Sequence, residues 1–373
     1  MRRLTSIAVR PLVAAVFAAA LVCGLAGGTA LAASGTAAGQ HPTAAAVTTV
    51  TWHKLTLRNG WKSSRSASYN VANPSYAVSG GIVYLDGTLK QQIGSNSVFA
   101  ILPRGARPAH KEFLTVLSGN VGAGVPGTLV IRPNGVMTAS SPTGSTRALT
   151  GLEAVSFPAA GAHWTSLKLL NGWKSGAAAF RTGGPAYTVR SGIVYLAGSL
   201  SGSSGRFATL AKNARPRSRL WISVYNSGGT AGEVVINPSG AIYAYGNVQT
   251  ALDGVSFPTA AAKLSWHKLA LGTGWSSSQS AWQSGDPEYA VAGPIVYLAG
   301  SMNFNPASTG SAFFADIPKA ARSVHEITRQ VYTLQGSTGE VVLTPSFGIA
   351  SSNPGSNADG YTSLAGIAYP RNS

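Results

Sequence analysis

The side chains of this chain that recur in matching places and can contact a ligand are aromatic or cationic. Trp61, Trp173 and Trp275 each follow a Gly turn and open a Ser-rich or small-residue stretch. An indole there has two readings: it stays exposed and stacks on the apolar face of a sugar, or it packs in a core or between modules, as large aromatics do in small β domains. Arg107, Arg215 and Arg322 recur in Ala-Arg-Pro, Ala-Arg-Pro and Ala-Arg-Ser. Pro108 and Pro216 fix the backbone of that turn, and the guanidinium can meet a phosphate or carboxylate bidentately.

Catalytic constellations are harder to find. A glycosidase needs two carboxylates in register, yet Asp86, Glu112 and Glu153 have mostly different neighbours in the other copies. Glu233 and Glu340 do match, in Gly-Glu-Val-Val, but Thr128 stands there in the first copy, so both read as solvated strand residues. Of six histidines only His53 and His267 match, as surface strand positions, and no His-Glu-x-x-His spacing exists. Gly254-Val-Ser-Phe-Pro258 has Pro where a nucleophile elbow needs Gly, and its Ser256 reads as an outward strand residue. The expectation is a chain with no catalytic residues, no metal site and no cofactor.

The elements that hold these side chains form a threefold internal repeat. Trp52-x-x-Leu-x-Leu-x-x-Gly-Trp61 returns at Trp164–Trp173 and Trp266–Trp275. Gly81-Ile-Val-Tyr-Leu-Asp-Gly87 returns as Gly192–Gly198 and, with Pro294 leading, as Pro294–Gly300. Val130-Ile-Arg-Pro-Asn-Gly135 and the closing Leu152-Glu-Ala-Val-Ser-Phe-Pro158 have counterparts at Val235–Gly240 and Val342–Gly348, and at Leu252–Pro258 and Leu364–Pro370. Repeats of this length are domains rather than solenoid units. They delimit modules at 51–158, 164–258 and 265–370, with short Ala-rich joins that bring neighbours into contact. Within a module, short β-branched and aromatic runs of period two alternate with Gly, Pro, Asn and Ser. No capped helical pattern appears. The fold class is all-β: three tandem antiparallel β-sandwich or short-barrel modules of about seven to nine strands. Asn134-Gly135 predicts a hairpin with a type I′ turn.

Residues 1–32 carry Arg2, Arg3 and Arg10, an apolar run and Ala30-Leu31-Ala32, the pattern of a secretory signal peptide. Residues 33–50 read as a flexible leader. Cys23, the only cysteine, lies in the apolar run, so the mature chain has no thiol chemistry. Removing the three signal arginines from 28 bases leaves 25 against 11 acids, a net charge of +14. Such a chain is drawn to polyanions, although its bases form no dense tract of the nucleic-acid kind. No later segment has the length of a membrane span.

The ordered set of Trp-x-x-Leu-x-Leu-x-x-Gly-Trp, Tyr-x-Val, Gly-Ile-Val-Tyr-Leu-x-Gly, Ala-Arg-Pro, Val-Ile-x-Pro-x-Gly and Leu-x-Gly-Val-Ser-Phe resembles the β-sandwich head domains of bacteriophage tail fibres and receptor-binding tail proteins. The resemblance covers nearly all of residues 51–370 three times. It implies heads that are homotrimeric and recognise bacterial surface saccharides. This chain departs from them in its signal peptide, its lack of a shaft and its three heads on one polypeptide. A tandem array replacing the homotrimer implies modules packed about a pseudo-threefold axis in a monomer. The functional expectation is a secreted, cell-wall-associated binding protein that takes a glycan or an anionic wall polymer. The alternative is a structural module that packs on protein partners or self-assembles.

Overall fold

The computed structural model describes residues 49–65, 70–94, 96–119, 125–140, 149–202, 204–245, 249–305, 308, 312–346, 348–352 and 360–373. Residues 1–32, expected to be a signal peptide, and the part of the expected leader before Thr49 lie outside the described residues. The described residues from Thr49 to Ser373 belong to one compact unit.

Each module is a sandwich of two antiparallel sheets. In module 1 the strands are β1 (His53–Lys54), β2 (Trp61–Ser63), β3 (Ser75–Ser79), β4 (Ile82–Asp86), β5 (Thr88–Gln91), β6 (Val98–Ile101), β7 (Glu112–Ser118), β8 (Val125–Ile131), β9 (Val136–Ser140), β10 (Thr150–Gly151) and β11 (Val155–Pro158). The smaller sheet runs β1-β3-β4-β11 and the larger β2-β5-β10-β7-β8-β9-β6. The larger sheet nearly closes into a barrel, because Arg58 N–H ahead of β2 donates to Phe99 C=O on β6 at 2.9 Å. Module 2 repeats both orders. In module 3 the larger sheet is divided in two, joined by a Thr333–Thr362 bridge. One-turn helices at Ala177–Phe180 and Gln279–Trp282 occupy the loops after the second strand of modules 2 and 3.

The hairpin at Asn134-Gly135 forms, with a different turn. Pro133 occupies the first central position and holds φ near −65°, which a type I′ turn forbids. Gly135 N–H instead donates to Arg132 C=O at 2.8 Å, and only Gly135 takes positive φ, at 86°. A Cβ on Gly135 would lie 2.4 Å from Leu102 O and 2.7 Å from Arg107 Nε.

Each module has its own core; Val83, Leu85, Leu89, Phe99, Leu129 and Phe157 belong to that of module 1. A fourth core belongs to all three. Ile82, Tyr84, Ile193, Tyr195, Ile295 and Tyr297 meet in one buried cluster, flanked by Trp52, Trp164 and Trp266. The hydroxyls of Tyr84 and Tyr297 both hydrogen-bond that of Tyr195. Alternate residues of β4 therefore serve two cores: Val83 and Leu85 face the sandwich, Ile82 and Tyr84 the shared cluster. Ser256 pairs opposite Tyr195 and is buried. It does point away from its own sandwich, but towards a protein interior.

The closing turn of every module plugs into a neighbour. In module 2, Asp253 accepts a hydrogen bond from Phe113 N–H of module 1 at 2.9 Å, and Gly254 lies against Leu114. In module 3, Ser363 Oγ donates to Trp221 C=O of module 2 at 2.8 Å, and Ala365 packs on the module 2 core. In module 1, Ala154 is buried in the core of module 3. The sequence of contacts, 2 on 1, 3 on 2 and 1 on 3, is a closed ring with pseudo-threefold symmetry. The ends of the body meet as well: Asn372 Nδ2 donates to Val50 C=O at 2.8 Å, and Trp52 Nε1 donates to Asn372 C=O at 3.0 Å. Val50 is buried in the shared cluster, so the first module begins inside what the sequence assigns to the leader.

Gly254 tests the ring. Its φ is 79°, and a Cβ there would stand 2.7 Å from Leu114 Cδ2. Gly254→Ala is expected to cost about 2 kcal/mol, from left-handed backbone strain and overpacking. Ala154→Gly, at the matching turn where Ala already has φ 55°, should leave stability unchanged or raised. Denaturant midpoints of the two variants check this.

Candidate functional site

The two recurring sets of candidate ligand residues make contacts within the scaffold. Trp61 is 3% exposed and Trp173 7%, each tilted against a core phenylalanine, Phe99 or Phe207, with centroids 5.8 Å apart. Trp61 Nε1 also donates to Asn96 C=O at 2.9 Å. Trp275 is half-buried against Phe304 and Phe314. The Gly turn ahead of these indoles folds them inward, so Trp61 and Trp173 present no face for a sugar. The arginines act as staples. Arg107, Arg215 and Arg322 each donate Nε to the carbonyl five residues earlier, Leu102, Leu210 or Ile317, at 2.9, 3.3 and 2.7 Å. The backbone carbonyls of Arg107 and Arg215 then accept from Ala160 and Ala260 in the linkers, both at 2.7 Å. One residue thus ties a 3-10 turn to its own sheet and to the join with the next module.

His53 and His267 are exposed strand residues, each stacked on the tyrosine paired with it, Tyr76 or Tyr289, at 5.3 and 5.2 Å. Glu233 and Glu340 are corrected: at 8% and 3% exposure they are buried, because the outer face of the larger sheet is covered where modules meet. Among the described residues no three His, Cys, Asp or Glu side chains gather as a metal site would require.

The acids as a group go inward. Asp86, Glu112, Glu153, Glu233, Asp253 and Glu340 are all buried. Burial pushes the carboxyls of Asp86, Asp253 and Glu233 up to about 7. Burial, and then the neighbouring Asp253 carboxyl, hold Glu112 well above the usual range. Glu153 is raised by burial and by Asp86, against the pull of Arg329 from module 3. The hydrogen bonds to these groups are structural. Asp86 accepts from Gly87 N–H at 2.8 Å, and Asp253 supplies the same bond to the matching Gly198 from another point of the chain. Of the remaining described acids, Asp286 and Glu288 pair with Lys268 and Arg217, and only Asp316 is exposed.

Two recesses stand out at the surface. One, of about 530 Å³, lies between the start of module 1 and its 3-10 turn, lined by Val50, His53, Tyr76, Val78 and Pro103. The other, of about 430 Å³, lies at the junction of modules 2 and 3. Trp221, Glu233 and Tyr245 line it from module 2, and Tyr332, Gln335 and Gly336 from module 3. Trp221 stacks on Tyr332 at 5.4 Å, and the Tyr332 hydroxyl is hydrogen-bonded to the Glu233 carboxyl. Of these residues only Glu233 belongs to a recurring motif, Gly-Glu-Val-Val, and there it reads as a solvated strand residue. The available signal is divergence between copies, since Trp221, Glu233 and Tyr245 replace Phe113, Thr128 and Ser140 at equivalent ladder positions.

No family model, no curated protein and no solved structure matches this chain.

The inward acids make stability depend on pH in a stated direction. Asp86, Glu233 and Asp253 titrate near 7 in the folded chain and near 4 when unfolded, so the folded state holds extra protons between those values. Their stabilising effect is complete below the ordinary carboxylate range and is lost as pH rises through about 7. The lowered His325 works in the opposite sense and is less buried, while the lowered Asp286 acts below the usual carboxylate range. The melting temperature is expected to fall from pH 5 to pH 8, and Asp253→Asn to flatten the profile. A calorimetric pH series checks both.

Proposed function

We propose that this protein is a non-catalytic binder of anionic polymer at the bacterial surface, working outside the cell as a monomer. The observation that carries this reading is the division of charge. With most acids inside or paired, the outer surface is more cationic than the formal charge implies, and a field of one sign attracts and concentrates polyanions. Exposed lysines and arginines occur on all three modules. One place is cationic in every copy: Arg104, Lys212 and Lys319 open the three 3-10 turns and are exposed.

Three pseudo-equivalent cations on one closed ring suit a repetitive polyanion, because contacts made together gain in effective concentration. The expected resemblance to trimeric phage heads would fit this reading, with one chain supplying the three copies that three chains supply there. The signal-peptide pattern supports a location among wall polymers.

The mature chain is expected to be retained by purified cell walls, and released when anionic polymers are stripped or salt is raised. Reversing Arg104, Lys212 and Lys319 to Glu together should lower the salt needed for release. Retention that survives both stripping and high salt would refute a charge-driven mode. A light-scattering mass of one chain is expected in the same buffers.

A further inference from the structure

We propose that the cleft at the junction of modules 2 and 3 is a saccharide-binding site. Tyr245 is the platform on which a pyranose ring stacks, and the Glu233 carboxyl and Gln335 amide accept its hydroxyl hydrogen bonds. The site lies beyond the charge-driven reading and does not depend on it.

Three observations converge. The first is an aromatic surface that reaches solvent. Tyr243 and Tyr245 lie two apart on the strand Ala241–Tyr245 and so share a face. Their rings are within 5° of parallel with centroids 6.5 Å apart, and Tyr245 is 43% exposed. A flat ring held open to solvent beside a recess suits the C–H face of a sugar.

The second is the placement of the polar groups. Glu233 sits directly opposite Tyr245 on the ladder, and its carboxyl lines the recess while hydrogen-bonded to Tyr332. Gln335 is held at φ 60°, in the left-handed region, at the rim. A few convergent polar groups beside three aromatic rings, around a volume of about 430 Å³, match the usual build of a small-ligand site.

The third comes from the pseudo-symmetry. The junction of modules 1 and 2 is built on the same backbone with Phe113, Thr128, Ser140, Tyr225 and Gly228 in the places of Trp221, Glu233, Tyr245, Tyr332 and Gln335. Phe113 and Tyr225 stack there at 5.0 Å, as Trp221 and Tyr332 do here. The stacked pair belongs to the joint. The carboxyl reaches Tyr332 across this joint, yet neither it nor the open tyrosine is required by such a joint, because the fold closes an equivalent one with Thr and Ser. At the third junction Glu340 repeats the carboxyl, but Thr328 stands in the place of Trp221.

The test uses the whole mature chain in salt high enough to screen its charge. The probes are glucose, galactose, mannose, rhamnose, N-acetylglucosamine, N-acetylgalactosamine and the tetrasaccharides of glucose and N-acetylglucosamine, followed by tryptophan fluorescence and saturation-transfer NMR. At least one probe is expected to bind at millimolar concentration or below. Glu233→Thr and Tyr245→Ser install the residues that module 1 carries, so both variants should fold, as circular dichroism will verify. Each is expected to weaken binding about tenfold while leaving low-salt retention on cell walls unchanged. If no probe binds the wild-type chain, or if both variants bind as well as it does, the assignment is overturned. Loss of wall retention with saccharide binding intact would instead overturn the charge-driven reading alone.

Discussion

Burial of both faces of the strand Ile-Val-Tyr-Leu is the constraint on which this molecule rests. Antiparallel sheets ordinarily leave one face to water. Here Ile82 and Tyr84, with their partners in the other two modules, turn that second face into a common core. Each isoleucine removed from water contributes on the order of 2 kcal/mol, and the three together are buried only if all modules are in place. The tyrosine hydroxyls impose a further demand, since a buried O–H must find a partner. They find one another through Tyr195. The exclusion of water drives these hydroxyls up, Tyr84 to about 12, so the interaction is neutral and insensitive to ordinary pH.

The second consequence of ring closure is electrostatic. Bringing three larger sheets together buries the polar rows on their outer faces, and those rows contain carboxyls. The fold keeps them as neutral or hydrogen-bonded groups at the joints, where Asp253 serves Gly198 of its own module and Phe113 of module 1. Buried polar groups of this kind are supported as registry devices in other systems. The division of charge that supports polyanion binding thus follows from how the modules join. It needs no dense basic motif.

Pseudo-symmetry makes the joints comparable with one another. Module 1 on module 3 uses Ala154 and Glu153, module 2 on module 1 uses Gly254 and Asp253, and module 3 on module 2 uses Gly366 and Ala365. The backbone path is shared while the side chains drift. Residues that the joint needs are constrained by packing, as at Leu114 beneath Gly254. Others, such as Tyr245 and Glu233, are replaced elsewhere without loss of the joint, and this separates scaffold from candidate site.

What the chain alone determined is what depends on neighbours in sequence. The three modules, their strands and the hairpins follow from period-two runs broken by Gly and Pro. The turn at Asn134 departs because Pro133 overrides the Asn-Gly preference, and Val50 and the one-turn helices at Ala177–Phe180 and Gln279–Trp282 depart as well. The unbroken apolarity of Ile82-Val83-Tyr84-Leu85 also carried a signal of two-sided burial, legible once the strand is known to be antiparallel. Tertiary structure decided the rest, since exposure of a recurring Trp or Glu depends on which surface comes to lie over it. Trp61 and Trp173 follow a Gly turn into the core, Glu233 is covered by module 3, and Arg107 is held by a carbonyl five residues back. The cleft of Trp221, Glu233, Tyr245, Tyr332 and Gln335 draws on two modules about a hundred residues apart. No local pattern records it, because only closure of the ring brings its two walls together.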